Sequence, residues 1–267
     1  MQVIIAPTDF SRVSLNAVDY AADMAVALQA SLLIVHSTEL PFSAKGIFTE
    51  TSNDEMGIYK KLNALKEEIL ARINNKIIIH TKQVTGVIED ELIRMCDQKN
   101  PLAVVMATHG EGLQEFFFIG STTVYLSKNL NYPLIIVPGF INFTPVNKIL
   151  LASDLENMNE LPFDKIIDMI TAFKASIDIV HVYNNENKFE VMSGRISELS
   201  YYLKNLNPQF HFVKHNNIQH AIIDFAKRNN SDLILTFPKK HAFFHKSKSK
   251  QFILHSPVTV MSIRQPQ

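Results

Sequence analysis

The feature that most constrains this chain is an internal repeat. Val3-Ile-Ile-Ala-Pro-Thr-Asp9 matches Lys148-Ile-Leu-Leu-Ala-Ser-Asp154, and Leu33-Ile-Val-His36 matches Asp178-Ile-Val-His181. The two Asp and the two His residues are each 145 positions apart, and later apolar segments match at an offset of 130. A repeat of this length defines the folding unit before any element is assigned. The chain therefore consists of two copies of one unit, and the second copy is shorter in its middle.

Within each copy, short apolar segments rich in β-branched residues alternate with longer amphipathic ones. This alternation is typical of βαβ units, in which helices connect and cover parallel strands. A chain of 267 residues is long enough for two such domains, each with its own core. We predict domains at residues 1–143 and 144–267. The first has predicted strands at 3–6, 31–36, 76–83, 103–107 and 134–137, helices at 11–28, 58–73, 88–98 and 121–130, and a long loop at 41–57.

Each copy ends in a β-rich segment, at residues 133–138 and 257–263. Either segment alone would be an exposed edge of a sheet, which natural proteins avoid. We predict that the two segments meet within the chain and relate the two sheets by an approximate twofold axis, as in a dimer. The sequence leaves open whether the whole chain forms a further homodimer.

Composition and charge limit the partners of the chain. Hydrophobic residues make up 46% and charged residues 19%, which is typical of a globular protein. Lys plus Arg and Asp plus Glu both number 26, so no overall field attracts nucleic acid or an anionic membrane. The N-terminal segment lacks a basic leader, and the single cysteine, Cys96, lies in a predicted helix and is interpreted as a core residue. We expect a cytoplasmic protein without a membrane partner.

A glycine-containing segment follows the fourth predicted strand. Gly110 lies at the carboxyl end of the predicted sheet, where open α/β sheets bind ligands. Gly120, Ser121 and Thr122 begin the next helix, whose first N–H groups lack partners within the helix. Such a helix start attracts anions, and the two hydroxyls are expected to add donors. The spacing predicts a phosphate site, although the same glycines could serve only as turn residues and Asp9 only as a helix cap.

Taken together, these segments resemble the universal stress protein family. The resemblance covers both copies and rests on Pro-Thr-Asp-Phe-Ser after the first strand, Val-His at the end of the second, and Val-Val-Met-Ala-Thr-His-Gly followed by Gly-Ser-Thr. Nucleotide-binding members carry Gly-x2-Gly-x9-Gly-(Ser/Thr), and alanine replaces the first glycine here. The resemblance implies two tandem, doubly wound, Rossmann-like domains of the adenine nucleotide alpha hydrolase-like type. It implies a nucleotide site formed by Pro7, Thr8, Asp9, Ser37, Met106, Ala107, His109, Gly110, Gly120, Ser121 and Thr122.

The resemblance implies a cytoplasmic stress-response protein that binds ATP or a related adenine nucleotide, with or without Mg²⁺. In such a site Asp9 would lie near the adenine or ribose, Ser37 would offer backbone hydrogen bonds to the base, and Gly110 would pass beneath the ribose and phosphates. No catalytic residue is assigned, and the protein partner through which such a sensor acts is unknown.

Two alternative functions remain open. The chain could be an interaction protein with vestigial pockets, because Ala107 departs from the motif. It could also be a weak nucleotide hydrolase, because His109 would lie beside the phosphates. No P-loop and no nucleophile elbow occurs in the sequence, which disfavours efficient catalysis.

The second copy departs from the motif. Phe237 and Lys240 occupy the positions of Ala107 and Gly110, and Lys246 replaces Gly120. A bulky side chain and missing glycines should prevent the backbone from surrounding a phosphate. We predict one nucleotide per chain, bound in the first copy.

Several polar clusters carry no predicted function. The basic segment at 239–250 is interpreted as a solvated loop, since the rest of the chain is not basic. His211, His215 and His220 lack the cysteine or carboxylate that would complete a metal site. His36 and His181 end equivalent strands, so we predict that each makes the same structural hydrogen bond.

Overall fold

The computed structural model describes residues 1–38, 52–108, 120–139, 141–155, 161–184, 189–237, 256 and 258–264, with the backbone alone at 52–55 and 189–193. The strands are β1 Val3–Pro7, β2 Ser31–Thr38, β3 Ile79–Thr85, β4 Ala103–Ala107, β5 Leu134–Val137, β6 Lys148–Ala152, β7 Ser176–Tyr183, β8 Gln209–Lys214, β9 Leu233–Thr236 and β10 Thr259–Ser262. The helices are α1 Arg12–Leu28, α2 Ser52–Arg72, α3 Ile88–Lys99, α4 Ser121–Asn129, α5 Phe163–Phe173, α6 Phe189–Tyr202 and α7 Ile218–Arg228, with a 3-10 helix at Lys204–Leu206.

The ten described strands form one sheet in the order β3-β2-β1-β4-β5-β10-β9-β6-β7-β8. Neighbours within each copy are parallel, and β5 and β10 pair antiparallel at the centre. This confirms the α/β fold and the predicted meeting of the two final strands. The two predicted five-stranded sheets are halves of a continuous sheet, because the antiparallel pair supplies hydrogen bonds to both of their inner edges.

The hydrogen-bonding register repeats between the copies. Ile4 pairs with Ala103 in the first copy, and Ile149 pairs with Leu233 in the second. These residues are related by the two offsets seen in the sequence, 145 and 130. The shortened middle of the second copy therefore leaves the register of its central strands unchanged.

Each face of the sheet is covered by its own set of helices. Alternate residues of a strand point to opposite faces, and apolar residues fill both faces here because parallel strands are covered on both sides. Buried residues of α1, α2, α5 and α6 pack on one face with Ile4 and Ile149. Buried residues of α3, α4 and α7 pack on the other with Ile5 and Leu150.

Polar contacts between the copies accompany the central strand pair. The buried Tyr20 hydroxyl of α1 hydrogen-bonds the Thr259 side chain of β10. The Arg264 guanidinium donates to the Asn129 carbonyl over 3.1 Å. The copies are therefore joined by side chains from helices as well as by the strand ladder.

Some predicted boundaries were wrong. The helix α2 begins at Ser52, inside the predicted loop at 41–57. The sequence pattern did not predict this start because the first turn is polar and has no apolar periodicity. Residues 41–51 of that loop lie outside the described residues. The strand β3 begins at Ile79, three residues late, and Ile78 just before it is exposed. Among the described helices, each is too short or too polar to cross a membrane.

Candidate functional site

The candidate site of the first copy is the crevice expected between the carboxyl ends of β1 and β4. These strands are neighbours, and the helices that follow them pack on opposite faces of the sheet: α1 on one face and α4 on the other. The ends of β1 and β4 therefore lie where the covering helices change from one face of the sheet to the other, which is the topological switch point. Open α/β sheets bind ligands at this point. The predicted site residues that the structure describes line this edge of the sheet.

One wall of the crevice is the turn between β1 and α1. The Thr8 amide donates to the Val35 carbonyl over 2.8 Å, and the Phe10 amide donates to the Thr8 hydroxyl oxygen over 3.0 Å. Phe10 adopts a left-handed backbone conformation with φ 63°. The turn thereby brings Thr8 and Asp9 to the end of β1, as the sequence predicts.

Asp9 does not cap the helix. Ser11 is the N-cap of α1, and its hydroxyl accepts from the Ser14 amide. The Asp9 carboxylate instead accepts from the Ser11 amide over 3.0 Å, while its side chain remains exposed at the edge of the crevice.

His36 fixes this turn from the neighbouring strand. Its Nδ1 donates to the Thr8 carbonyl over 2.7 Å, since a carbonyl can only accept. In the second copy the Nδ1 of His181 makes the same bond to the Ser153 carbonyl over 3.0 Å, and Leu155 repeats the φ of Phe10 at 57°. The predicted structural role of both histidines is confirmed.

The opposite wall is the start of α4. The Gly120 amide donates to the Thr108 carbonyl over 2.7 Å, and the Thr123 hydroxyl donates to the Ala107 carbonyl over 3.1 Å. These two bonds hold the first turn of α4 against the end of β4. The positive end of the helix dipole therefore lies at the carboxyl edge of the sheet, where a phosphate group would be stabilised.

Gly120 has an ordinary backbone conformation. It is the N-cap of α4 with φ −61° and ψ 152°, and it makes no side-chain capping bond. Those angles are open to any residue, so unusual backbone angles do not explain this glycine. As a glycine it places no side chain beside the first N–H groups of the helix.

Thr122 makes a contact that the sequence does not predict. Its hydroxyl donates to Glu89 Oε1 over 2.7 Å, so its single proton is already used. Glu89 lies in the first turn of α3. Sequence reasoning missed Glu89 because no spacing rule relates it to a helix start 32 residues further along the chain. Ser121 is exposed at the first position of α4.

Ser37 lies inside β2 rather than after it. It pairs with Val84 of β3, and its hydroxyl donates to the Gly86 carbonyl over 2.5 Å. Pro7, the last residue of β1, pairs with Val35 of β2. Ser37 follows Val35 and therefore lies past the end of β1. Ser37 is therefore at the same edge of the sheet as Thr8 and Asp9.

Pro7, Met106 and Ala107 end the two central strands of the first copy. All three are buried, with Met106 on the face covered by α3 and α4 and Ala107 on the face covered by α1. The structure thus brings Pro7, Thr8, Asp9, Ser37, Met106, Ala107, Gly120, Ser121 and Thr122 to one edge. His109 and Gly110 lie outside the described residues.

The equivalent edge of the second copy differs at its strand end. Phe237 stands at the position of Ala107 and is buried on the same face, 7% exposed. Its ring therefore belongs to the core. Lys240, Lys246 and the basic segment at 239–250 lie outside the described residues.

The remaining candidates are three histidines and Cys96. His211 is in β8, His215 follows it and His220 is in α7. Within the described part of the chain, no group of three or more His, Cys, Asp or Glu side chains is arranged to hold a metal ion. Cys96 is fully buried, and burial raises the pKa of its thiol to about 12, as befits a core residue rather than a nucleophile.

Comparison with known proteins identifies relatives of this fold. Residues 1–138 match the model of the Universal stress protein family. Universal stress protein MJ0531 of Methanocaldococcus jannaschii is 28% identical over 142 residues, which are 50% of this chain and 80% of that protein. A universal stress protein from Archaeoglobus fulgidus superposes with a TM-score of 0.75 at 16% identity, covering 99% of this chain and 98% of that one.

A putative universal stress protein from Pseudomonas aeruginosa superposes with a TM-score of 0.61 at 11% identity, covering 99% of this chain and 94% of that one. At such identities these two structures show the fold alone. They show it over the whole chain, including the second copy, which the family model does not reach.

Proposed function

This chain belongs to the universal stress protein family, a family of stress-response proteins, and on that premise we propose that its first copy binds one adenine nucleotide. The ligand is ATP or a close relative of it. The role is that of a sensor, whose nucleotide occupancy alters its stability or its contact with another protein.

The observation that carries this proposal is the hydrogen bond from the Gly120 amide to the Thr108 carbonyl. It holds the start of α4 at the end of β4, beside the turn that carries Thr8 and Asp9. The N–H groups at the start of a helix and its positive dipole end favour phosphate. A nucleotide in this crevice would place its phosphates at Gly120 and Ser121 and its adenine or ribose near Asp9 and Ser37.

We propose that the second copy binds no nucleotide. The aromatic ring of Phe237 occupies the strand-end position at which the first copy has the small side chain of Ala107. The proposed domains are residues 1–143, which carry the site, and residues 144–267, which pair with the first domain and stabilise it. Binding of one nucleotide per chain follows.

Thermal unfolding tests the proposal, because a ligand that binds only the folded state raises the melting temperature. The purified chain is heated with increasing ATP, ADP, AMP or cyclic AMP, each at matched ionic strength. A rise that saturates with at least one nucleotide is expected. Unchanged melting temperatures with all four at millimolar concentration would leave an interaction protein with vestigial pockets as the better description.

Phosphate release distinguishes binding from hydrolysis. We expect release from ATP and Mg²⁺ to stay at the background rate, because the sequence contains no P-loop and no nucleophile elbow. Release that depends on His109 would instead favour a weak nucleotide hydrolase.

A further inference from the structure

We propose that the junction of the two copies binds a small oxyanion, a phosphate or a carboxylate group, between Lys165 and Arg264. Both residues belong to the second copy, and both contact the end of α4 and the loop that leads from it to β5 in the first copy. The inference goes beyond the proposed function, because this site uses none of the residues of the nucleotide crevice.

The two cations meet on one residue of that loop, Asn131. The Lys165 ammonium donates to the Asn131 carbonyl, and the Arg264 guanidinium donates to the Asn131 side-chain oxygen over 3.4 Å. The guanidinium also donates over 3.1 Å to the carbonyl of Asn129, the last residue of α4. An ammonium and a guanidinium are therefore held close together at the boundary between the copies.

Carboxylates do not balance these two charges at close range. Within the part of the chain that the structure describes, neither Lys165 nor Arg264 forms an ion pair with Asp or Glu. Burial lowers the pKa of the Lys165 ammonium, and the more distant Asp97 offsets this effect only in part. The end of α4 supplies about half a negative charge, against two full positive ones. A net positive charge therefore remains for an anion to neutralise.

The opposite end of the junction carries no such charge, although the two copies are related by a local twofold axis. Lys165 is equivalent to Tyr20 of the first copy, at the offset of 145 residues. Tyr20 packs edge-on against Phe143 with the ring centroids 5.2 Å apart, and it hydrogen-bonds the Thr259 side chain. An aromatic residue therefore serves to join the copies at that end, and the fold does not require a cation at this position.

Both cations have donors left for a ligand. The two bonds from Arg264 to the first copy use Nη1 alone, which leaves Nη2 and Nε for the paired oxygens of a phosphate or carboxylate. The Lys165 ammonium has three N–H groups and lies 4.8 Å from the centroid of the Tyr132 ring. Both side chains belong to half-buried residues, so a dissolved ion can reach them.

Thermal unfolding in sodium phosphate, sodium acetate and sodium chloride at matched ionic strength tests the inference. The melting temperature of the wild type should rise with phosphate or acetate relative to chloride, and the rise should saturate. At ten times the dissociation constant we expect about 3 °C. A response to phosphate alone identifies a phosphate site, and a response to both salts identifies a general oxyanion site.

Variants assign the response to the two cations. Lys165→Gln and Arg264→Gln should each weaken binding at least about tenfold, because each removes a charged hydrogen-bond donor. Lys174→Gln is the matched control, since it removes the same charge from the exposed residue that ends α5, and it should respond as the wild type does. The melting temperature in chloride shows that each variant is folded.

Equal melting temperatures of the wild type in all three salts would overturn the inference. A rise that both Lys165→Gln and Arg264→Gln retain would overturn it as well, because the anion would then bind elsewhere, for example in the nucleotide crevice. The proposed function is decided separately, by the titrations with nucleotides.

Discussion

Met261 of β10 lies directly opposite Ile135 of β5 in the antiparallel pair that joins the two copies. The two residues are structural equivalents, because Ile135 pairs with Val105 of β4 and Met261 pairs with Leu235 of β9, which are related by the 130-residue offset. Equivalent residues that face each other must lie next to the local twofold axis. The repeat in the sequence thus ends in a symmetric contact that covers one sheet edge of each copy.

Met261→Lys should strongly destabilise the chain. Met261 and Ile135 are both fully buried, so the substitution places an unpaired charge in the core at the join of the two half-sheets. We expect a loss of more than about 3 kcal/mol in the free energy of unfolding. Met56→Lys is the control, because Met56 is 59% exposed. Melting temperatures that fall equally in both variants would contradict a buried junction.

The hydrogen bonds of His36 and His181 should contribute independently to the free energy of unfolding. His36→Ala and His181→Ala each remove one hydrogen bond to the turn after the first strand of a copy, and each should cost about 1 kcal/mol. The strands β2 and β7 are seven strand spacings apart in the sheet, roughly 30 Å, so the double variant should show the sum of the two losses.

Urea unfolding measures these differences, with His80→Ala as the control at an exposed position of β3. A loss in the double variant well above the sum would mean that the two turns are coupled across the sheet.

Cys96 should make the chain less stable in alkali. The native thiol keeps its proton to about pH 12, whereas an unfolded thiol loses it near its ordinary pKa, about 8.5. Above pH 8.5 the native state therefore binds more protons, and the free energy of unfolding falls as pH rises toward 12. At pH 10 the loss is about 2 kcal/mol.

Cys96→Ala removes this contribution. Between pH 8 and pH 10 its free energy of unfolding should fall less than that of the wild type. Burial also raises the pKa of Tyr20, so some alkaline destabilisation remains in the variant. Identical pH dependence in the two proteins would show that the Cys96 thiol is not shielded as described.

The repeat and the hydrophobic periods were sufficient to predict the strands of the first copy and the meeting of the final strands. They failed where polar residues form regular structure: the first turn of α2 at Ser52 carries no apolar period, and Thr38 extends β2 because β3 pairs with it. Pairing between strands depends on the neighbour, which a local pattern does not contain.

The site was predicted through the glycine motif and only in part. The motif indicates Gly120 and Ser121, because its spacing predicts a helix start shortly after a strand. It does not indicate Glu89, because the contact with Thr122 depends on how α3 packs beside α4. A helix packing relation of this kind has no signature in a single sequence.

The central claim is that one adenine nucleotide binds per chain at the start of α4. Calorimetric titration of the wild type tests it directly, using the nucleotide that gives the largest thermal shift. We predict one site per chain and no measurable binding by Gly120→Val, whose backbone angles permit valine while the added side chain occupies the phosphate position. Two sites per chain in the wild type, or normal binding by a folded Gly120→Val, would contradict the claim.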